Sequence, residues 1–110
     1  MRWYRRLRRS GEIAFVRRRG RQAGTTTLSA YALPAAGSET KVCISATKAV
    51  GGAVVRNLIR RRVRGALDAL GPPGRDLRLL FVLRPAAASA PFERLAADLA
   101  AAVRRLAADP

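Results

Sequence analysis

Between Lys48 and Leu70 the chain reads KAVGGAVVRNLIRRRVRGALDAL, and this stretch limits what the rest can be. Arg56, Arg60, Arg61, Arg62 and Arg64 crowd into nine residues beside a single Asn57. The apolar residues between them still recur at helical spacing, so the stretch predicts a helix from about Ala53 to Leu70. Gly51-Gly52 turns the backbone before it, and Gly71-Pro72-Pro73-Gly74 stops it. On a wheel of about 100° per residue, Arg56, Asn57, Arg60, Arg61 and Arg64 share an arc of about 140°, with Asp68 inside it. Val55, Leu58, Ile59, Val63, Ala66 and Leu70 fill the other side, and Leu67 joins them from the edge of the basic arc beside Arg56. Arg62 falls among the apolar positions, where its stem should snorkel along the core edge. Five arginines with a single acid, Asp68, on their arc still repel one another, and a polyanion relieves that repulsion. Spacing alone does not choose RNA over DNA, but no helix-turn-helix partner is present for DNA.

Composition supports a polyanion-binding domain. In 110 residues, 22 Lys and Arg oppose 7 Asp and Glu, for a formal charge of +15. That length suits one domain with a real core, and a charge so lopsided gathers polyanions from a distance. There is no His, which removes the commonest general base and every Ser-His or Cys-His nucleophile pair. Cys43 stands alone, so the chain has neither an internal disulfide nor a cysteine metal cluster, and a reducing cytoplasm fits. The seven acids show no D-x-D or E-x-x-E spacing that would hold magnesium unaided. No apolar run approaches the roughly 20 residues of a membrane span, and the basic start lacks the apolar core of a secretory signal.

Residues 1–9 hold five arginines around Trp3 and Tyr4 and read as a basic arm that orders on binding, ahead of a domain over 10–110. Ser10 is a candidate N-cap, Glu12 suits a first turn, and Gly20 follows Arg17-Arg18-Arg19 as a stop. This frames a helix over about 11–19, with Ile13, Val16 and Phe15 as core anchors. TTTLSAYAL, from Thr25 to Leu33 with Pro34 ending it, reads as a strand. Leu28, Ala30 and Ala32 share one face; Thr27, Ser29, Tyr31 and Leu33 share the other. Tyr31 is either a packed strand aromatic or a ring offered to an unstacked base. Ala35 to Glu39 reads as a turn. Lys41 to Thr47 is a second strand burying Val42, Ile44 and Ala46, with Cys43 a packing residue on the opposite face. Asp76 to Leu83 is apolar enough for a strand covered on both sides. A linker, AAASA, leads to a last helix with Pro91 at its first position and Phe92, Leu95, Leu99, Val103 and Leu106 on one face.

The run K-A-V-G-G-A-V-V-R-N-L-I-R-R-R-V-R, Lys48 to Arg64, closely resembles the signature of the bacterial ribonuclease P protein subunit, in which a lysine and a V-G-x-A-V step lead into an Arg-Asn-Arg helix. Arg6-Leu7-Arg8-Arg9, the short helix ending at Gly20 and the later strands follow the family's order, so the resemblance covers about residues 6–107. It implies an α+β sandwich of order αβββαβα, whose four-stranded sheet has a left-handed crossover and a fourth strand near Arg21 to Thr25. It also implies that an RNA subunit is the catalyst, removing the 5′ leader of precursor tRNA with RNA-held Mg2+. The protein then carries no catalytic residue and no metal of its own, and its partners are the ribonuclease P RNA and precursor tRNA, with neither DNA nor membrane. Position by position, Lys48, Arg56, Asn57, Arg60, Arg61 and Arg64 correspond to the RNA-binding set, and Tyr31, Arg17 and Ile13 to the leader-binding set. The chain departs from the pattern at Leu58, which stands where the signature has its second arginine, and at Gly52, where Asn is usual. Ile13 and Arg17 stand where aromatics are common. The alternatives from other classes are a ribosomal or assembly protein of similar fold and a protein nuclease using its own acids.

Overall fold

The apolar run near the end of the chain becomes the centre of the molecule. In the computed structural model, which describes residues 2–35 and 39–108, Leu77–Leu83 forms a strand with sheet on both edges and helices on both faces. In chain order the elements are β1 (Arg5–Arg6), α1 (Ser10–Arg19), β2 (Arg21–Gly24), β3 (Leu28–Pro34), β4 (Lys41–Ser45), α2 (Ala53–Leu70), β5 (Leu77–Leu83), a 3-10 turn (Pro85–Ala88) and α3 (Phe92–Ala107). The sheet runs β1-β4-β5-β3-β2. β5 is antiparallel to β3 and parallel to β4, so β4, α2 and β5 form a crossover between adjacent strands. The architecture is thus the expected α+β class, with five strands rather than four.

Strand alternation distributes side chains between two cores. Leu28, Ala30, Ala32, Val42, Leu79, Phe81 and Leu83 point to the side packed by α2 and α3, which contribute Ile59, Val63, Leu67, Leu95, Leu99 and Val103. On the other side Leu80 packs with Leu7 and with Val16 of α1, and Ile13, Tyr31, Leu33, Cys43 and Val82 lie half-buried around them. Gly20 lets α1 meet the sheet closely, since a Cβ there would stand 2.4 Å from the Val16 carbonyl oxygen and 2.9 Å from that of Ala32.

The structure corrects several expectations. Residues 2–9 are not a separate arm: Arg5 and Arg6 pair in parallel with Lys41 and Val42, and Leu7 is buried. Trp3 donates its indole N–H to the Leu67 carbonyl at 2.9 Å. Local propensity does not reveal this strand, because its stability comes from a partner more than thirty residues away. Ser10 already lies inside α1, whose start has no side-chain cap. Phe15 and Phe92 are exposed rather than core residues, and Leu58 reaches the surface of α2. Thr25 closes the β2–β3 hairpin instead of opening β3, exchanging backbone and side-chain hydrogen bonds with Leu28. Pro91 flanks α3 instead of beginning it, and the expected linker contains the 3-10 turn, with Ala87 buried. Residues 36–38 of the expected turn at Ala35 to Glu39 lie outside the described residues.

Candidate nucleic-acid interface

α2 spans the eighteen residues foreseen from its punctuation. Gly51, with φ 156°, is needed at the turn before it, because a Cβ would come within 2.9 Å of Val55 Cγ1. Gly71, with φ 79° and ψ 176°, adopts a positive-φ backbone that favours glycine and ends the helix, and its N–H donates to the Leu67 carbonyl. Ile59, Val63, Ala66 and Leu67 are buried, while Asn57 and Arg61 are exposed and Arg60, Arg62 and Arg64 are half-exposed. The half-burial of Arg62 matches a snorkelling side chain. Arg56 sits nearer the core than its wheel position implied: it is half-buried, and its Nε is shielded without a hydrogen-bond partner.

The polar side of α2 forms one wall of a groove of about 1030 Å3. Asn57, Arg60 and Arg64 face it from the helix, and Val42, Cys43 and Ile44 from β4. Its other wall is the N-terminal segment, through Arg2, Tyr4, Arg6, Leu7 and Arg8, and Ile13 of α1 also lines it. Five arginines and no acid therefore border one concave surface, a field suited to phosphates. Arg60 is held in place: one guanidinium nitrogen donates to the Ala46 carbonyl at 3.1 Å and another reaches Asn57 Oδ1 at 3.4 Å. Among the described residues the Asn57 amide nitrogen has no hydrogen-bond partner. Burial pushes the Cys43 thiol above its ordinary pKa, with Arg6 and Arg60 opposing, so a neutral thiol is favoured. Tyr4 is likewise raised by burial, against the pull of Arg2.

The acids sit elsewhere. Asp68 pairs with Arg2 at 3.3 Å, Glu39 with Arg5 at 3.1 Å, Glu12 with Arg78 at 3.5 Å and Asp98 with Arg94 at 3.3 Å. Asp98 also accepts hydrogen bonds from the Thr27 hydroxyl and backbone N–H, and Asp76 accepts one from the Thr40 hydroxyl. Among the described residues no group of three or more His, Cys, Asp or Glu gathers to hold a metal ion.

The leader-binding candidates converge on the sheet side that α1 covers. Ile13 and Tyr31 join the same apolar cluster, and the Arg17 guanidinium lies 5.8 Å from the Tyr31 ring centroid. Gln22 donates to the Tyr31 hydroxyl at 3.3 Å. Tyr31 is thus a packed strand residue that stays half-exposed. Ile13 borders both this cluster and the groove, so the two sets of candidates are continuous. Lys48 stands apart from the groove lining, exposed on the turn before α2. Sequence reasoning missed Arg2, Tyr4, Arg6 and Arg8 as site residues. The shared parity of these four was the available signal, as in a strand, although Leu7 between them also borders the groove.

The chain is similar to known proteins in both sequence and fold. A family model described as Ribonuclease P matches residues 1–107. The ribonuclease P protein component of Streptomyces avermitilis is 43% identical over 115 residues, covering 92% of this chain and 90% of that one. That of Thermus thermophilus is 42% identical over 96 residues, covering 86% of this chain and 56% of that one. In structure, a Staphylococcus aureus RNase P protein mutant with defective mRNA degradation activity superposes with a TM-score of 0.83 at 18% identity, over 91% of this chain and 86% of that one. The RNase P protein from Thermotoga maritima gives 0.78 at 16% identity, over 91% and 96% of the two chains. With its fold shared at this level and its sequence matched from end to end of the described domain, the chain belongs to the ribonuclease P protein family.

Proposed function

We propose that the chain works as the RNA-docking subunit of ribonuclease P, binding the catalytic RNA through α2 and the N-terminal segment and steadying the 5′ leader of precursor tRNA on the α1 side of the sheet. The groove between α2 and β1 carries this reading: its five arginines meet from two distant parts of the chain, no acid lines it, and only Arg2 at its border has a carboxylate partner, Asp68. Phosphates entering it neutralise cations and release counterions, which makes binding strongly salt-dependent. Asn57 adds a directed donor, since its carbonyl oxygen faces Arg60 and its amide nitrogen remains available. On the other side, Tyr31 and Arg17 present a ring and a guanidinium to an unstacked base, with Ile13 beneath. The protein holds and orients; hydrolysis belongs to the RNA and its magnesium ions. The carboxylates of this chain that could serve metal chemistry are instead spent on arginine and threonine partners.

Reconstitution with a bacterial ribonuclease P RNA at low magnesium tests the reading. Added protein should raise precursor-tRNA cleavage, and cleavage should persist when Asp68 and Asp76 are both replaced by Asn. No gain on adding the protein would leave a general RNA-binding module as the better description.

A further inference from the structure

Phe15 has no role in the core. It is 48% exposed on α1, while its neighbour Val16 is buried at 1%. The Arg18 guanidinium lies 5.8 Å from the Phe15 ring centroid, the same distance that separates Arg17 from Tyr31. Consecutive residues of a helix point about 100° apart. The last turn of α1 therefore carries two ring–guanidinium pairs, one facing the sheet and one facing away from it.

The surroundings of the outer pair suit a polyanion. Arg17, Arg18 and Arg19 form no ion pair within the described residues, and Glu12, the acid of the same helix, is held by Arg78. One turn before Phe15, Gly11 carries no side chain, and a Cβ there would meet open space. A lone phenyl with the Arg18 guanidinium over it is no apolar patch for a protein partner. It is a stacking surface for a base, with cations beside it for the flanking phosphates. Duplex RNA keeps its bases stacked, so the fitting ligand is a single strand.

We infer that the outer face of α1 is a second nucleobase-stacking site, at which Phe15 and Arg18 hold a leader base after the strand has passed Tyr31 and Arg17. A helix with its side chains is about 10–12 Å across, a span that a flexible strand crosses without strain. This rests on the leader lying at Tyr31, and it extends that path around the helix.

The test is the affinity of the reconstituted holoenzyme for precursor tRNAs with progressively longer leaders, using Phe15→Ala, Phe15→Trp and Tyr31→Ala. Phe15→Ala should lose about fivefold in affinity. The loss should begin only at leaders longer than those at which Tyr31→Ala first weakens binding, and Phe15→Trp should keep the wild-type affinity. An effect of Tyr31→Ala with none of Phe15→Ala overturns the outer site alone. No effect of Tyr31→Ala at any length overturns the leader path itself. An equal loss by Phe15→Ala on mature tRNA, or Phe15→Trp behaving like Phe15→Ala, also overturns the outer site.

Discussion

The two sides of the sheet use the same alternating strands for different ends. On one side α2 and α3 close over Leu28, Ala30, Val42, Leu79 and Phe81 and leave a dry core. On the other, the ten-residue α1 covers only part of the surface, and Tyr31, Leu33, Cys43 and Val82 stay half-buried. Arginine follows the same division. Those of the stable frame are paired, as Arg94 is with Asp98 and Arg78 with Glu12, whereas those lining the groove from α2 have no acid. The lesson is that the closed side holds the fold, while the incompletely covered side and its edge are the part of the molecule to which the proposed function assigns ligand.

Substitutions can break or sharpen that division. The largest effect is expected at Phe81→Ala, on the closed side, where loss of a fully buried ring should cost about 3–5 kcal/mol of stability, read by denaturant unfolding. Leader affinity measured on the fraction still folded should change little. On the open side, Tyr31→Ala should invert this, losing about 1–3 kcal/mol of precursor-tRNA affinity with a small change in stability. If both variants mainly unfold the protein, the two sides are not separable.

A smaller effect is expected in the groove. Arg64→Ala should reduce the slope of log affinity against log salt by about one phosphate contact without altering thermal unfolding. Arg60→Ala should do the same and also lose about 0.5–1.5 kcal/mol of stability, because Arg60 holds the Ala46 carbonyl. Equal melting curves for the two variants would show that this hydrogen bond does not support the fold. The smallest effect is expected at Asp68→Asn. Its pair with Arg2 is half-exposed on both sides, so stability should fall by less than about 1 kcal/mol. A larger fall would mean that docking the N-terminal segment depends on that charge.

Legibility followed the range of the interactions. α2 was readable because glycines bound it at both ends and an eighteen-residue amphipathic pattern fills it. The faces of β3 and β4 were readable because period-two alternation survives in Leu28, Ala30 and Ala32 and in Val42 and Cys43. Phe15 misled because aromatic residues are usually core residues, and a ten-residue helix with six non-arginine neighbours gives little periodicity to say otherwise. Leu58 misled for the opposite reason. It lies at the margin of the apolar arc of α2, and only the placement of the neighbouring elements decides which margin is covered; at 36% exposure it is on the uncovered one.

By itself, the sequence determined a basic amphipathic helix between two glycine breaks, an apolar central strand, and a chain without the His and clustered acids that protein-borne hydrolysis would use. These are local patterns and totals, and local physics is enough to read them. Only the tertiary structure decided that Arg5 and Arg6 pair with Lys41 and Val42, which brings Arg2, Tyr4, Arg6 and Arg8 across from Asn57, Arg60 and Arg64. A two-residue strand has no propensity of its own to announce it. Its place comes from backbone hydrogen bonds to β4 and from burial of Leu7, contacts that exist only once the distant partners are folded.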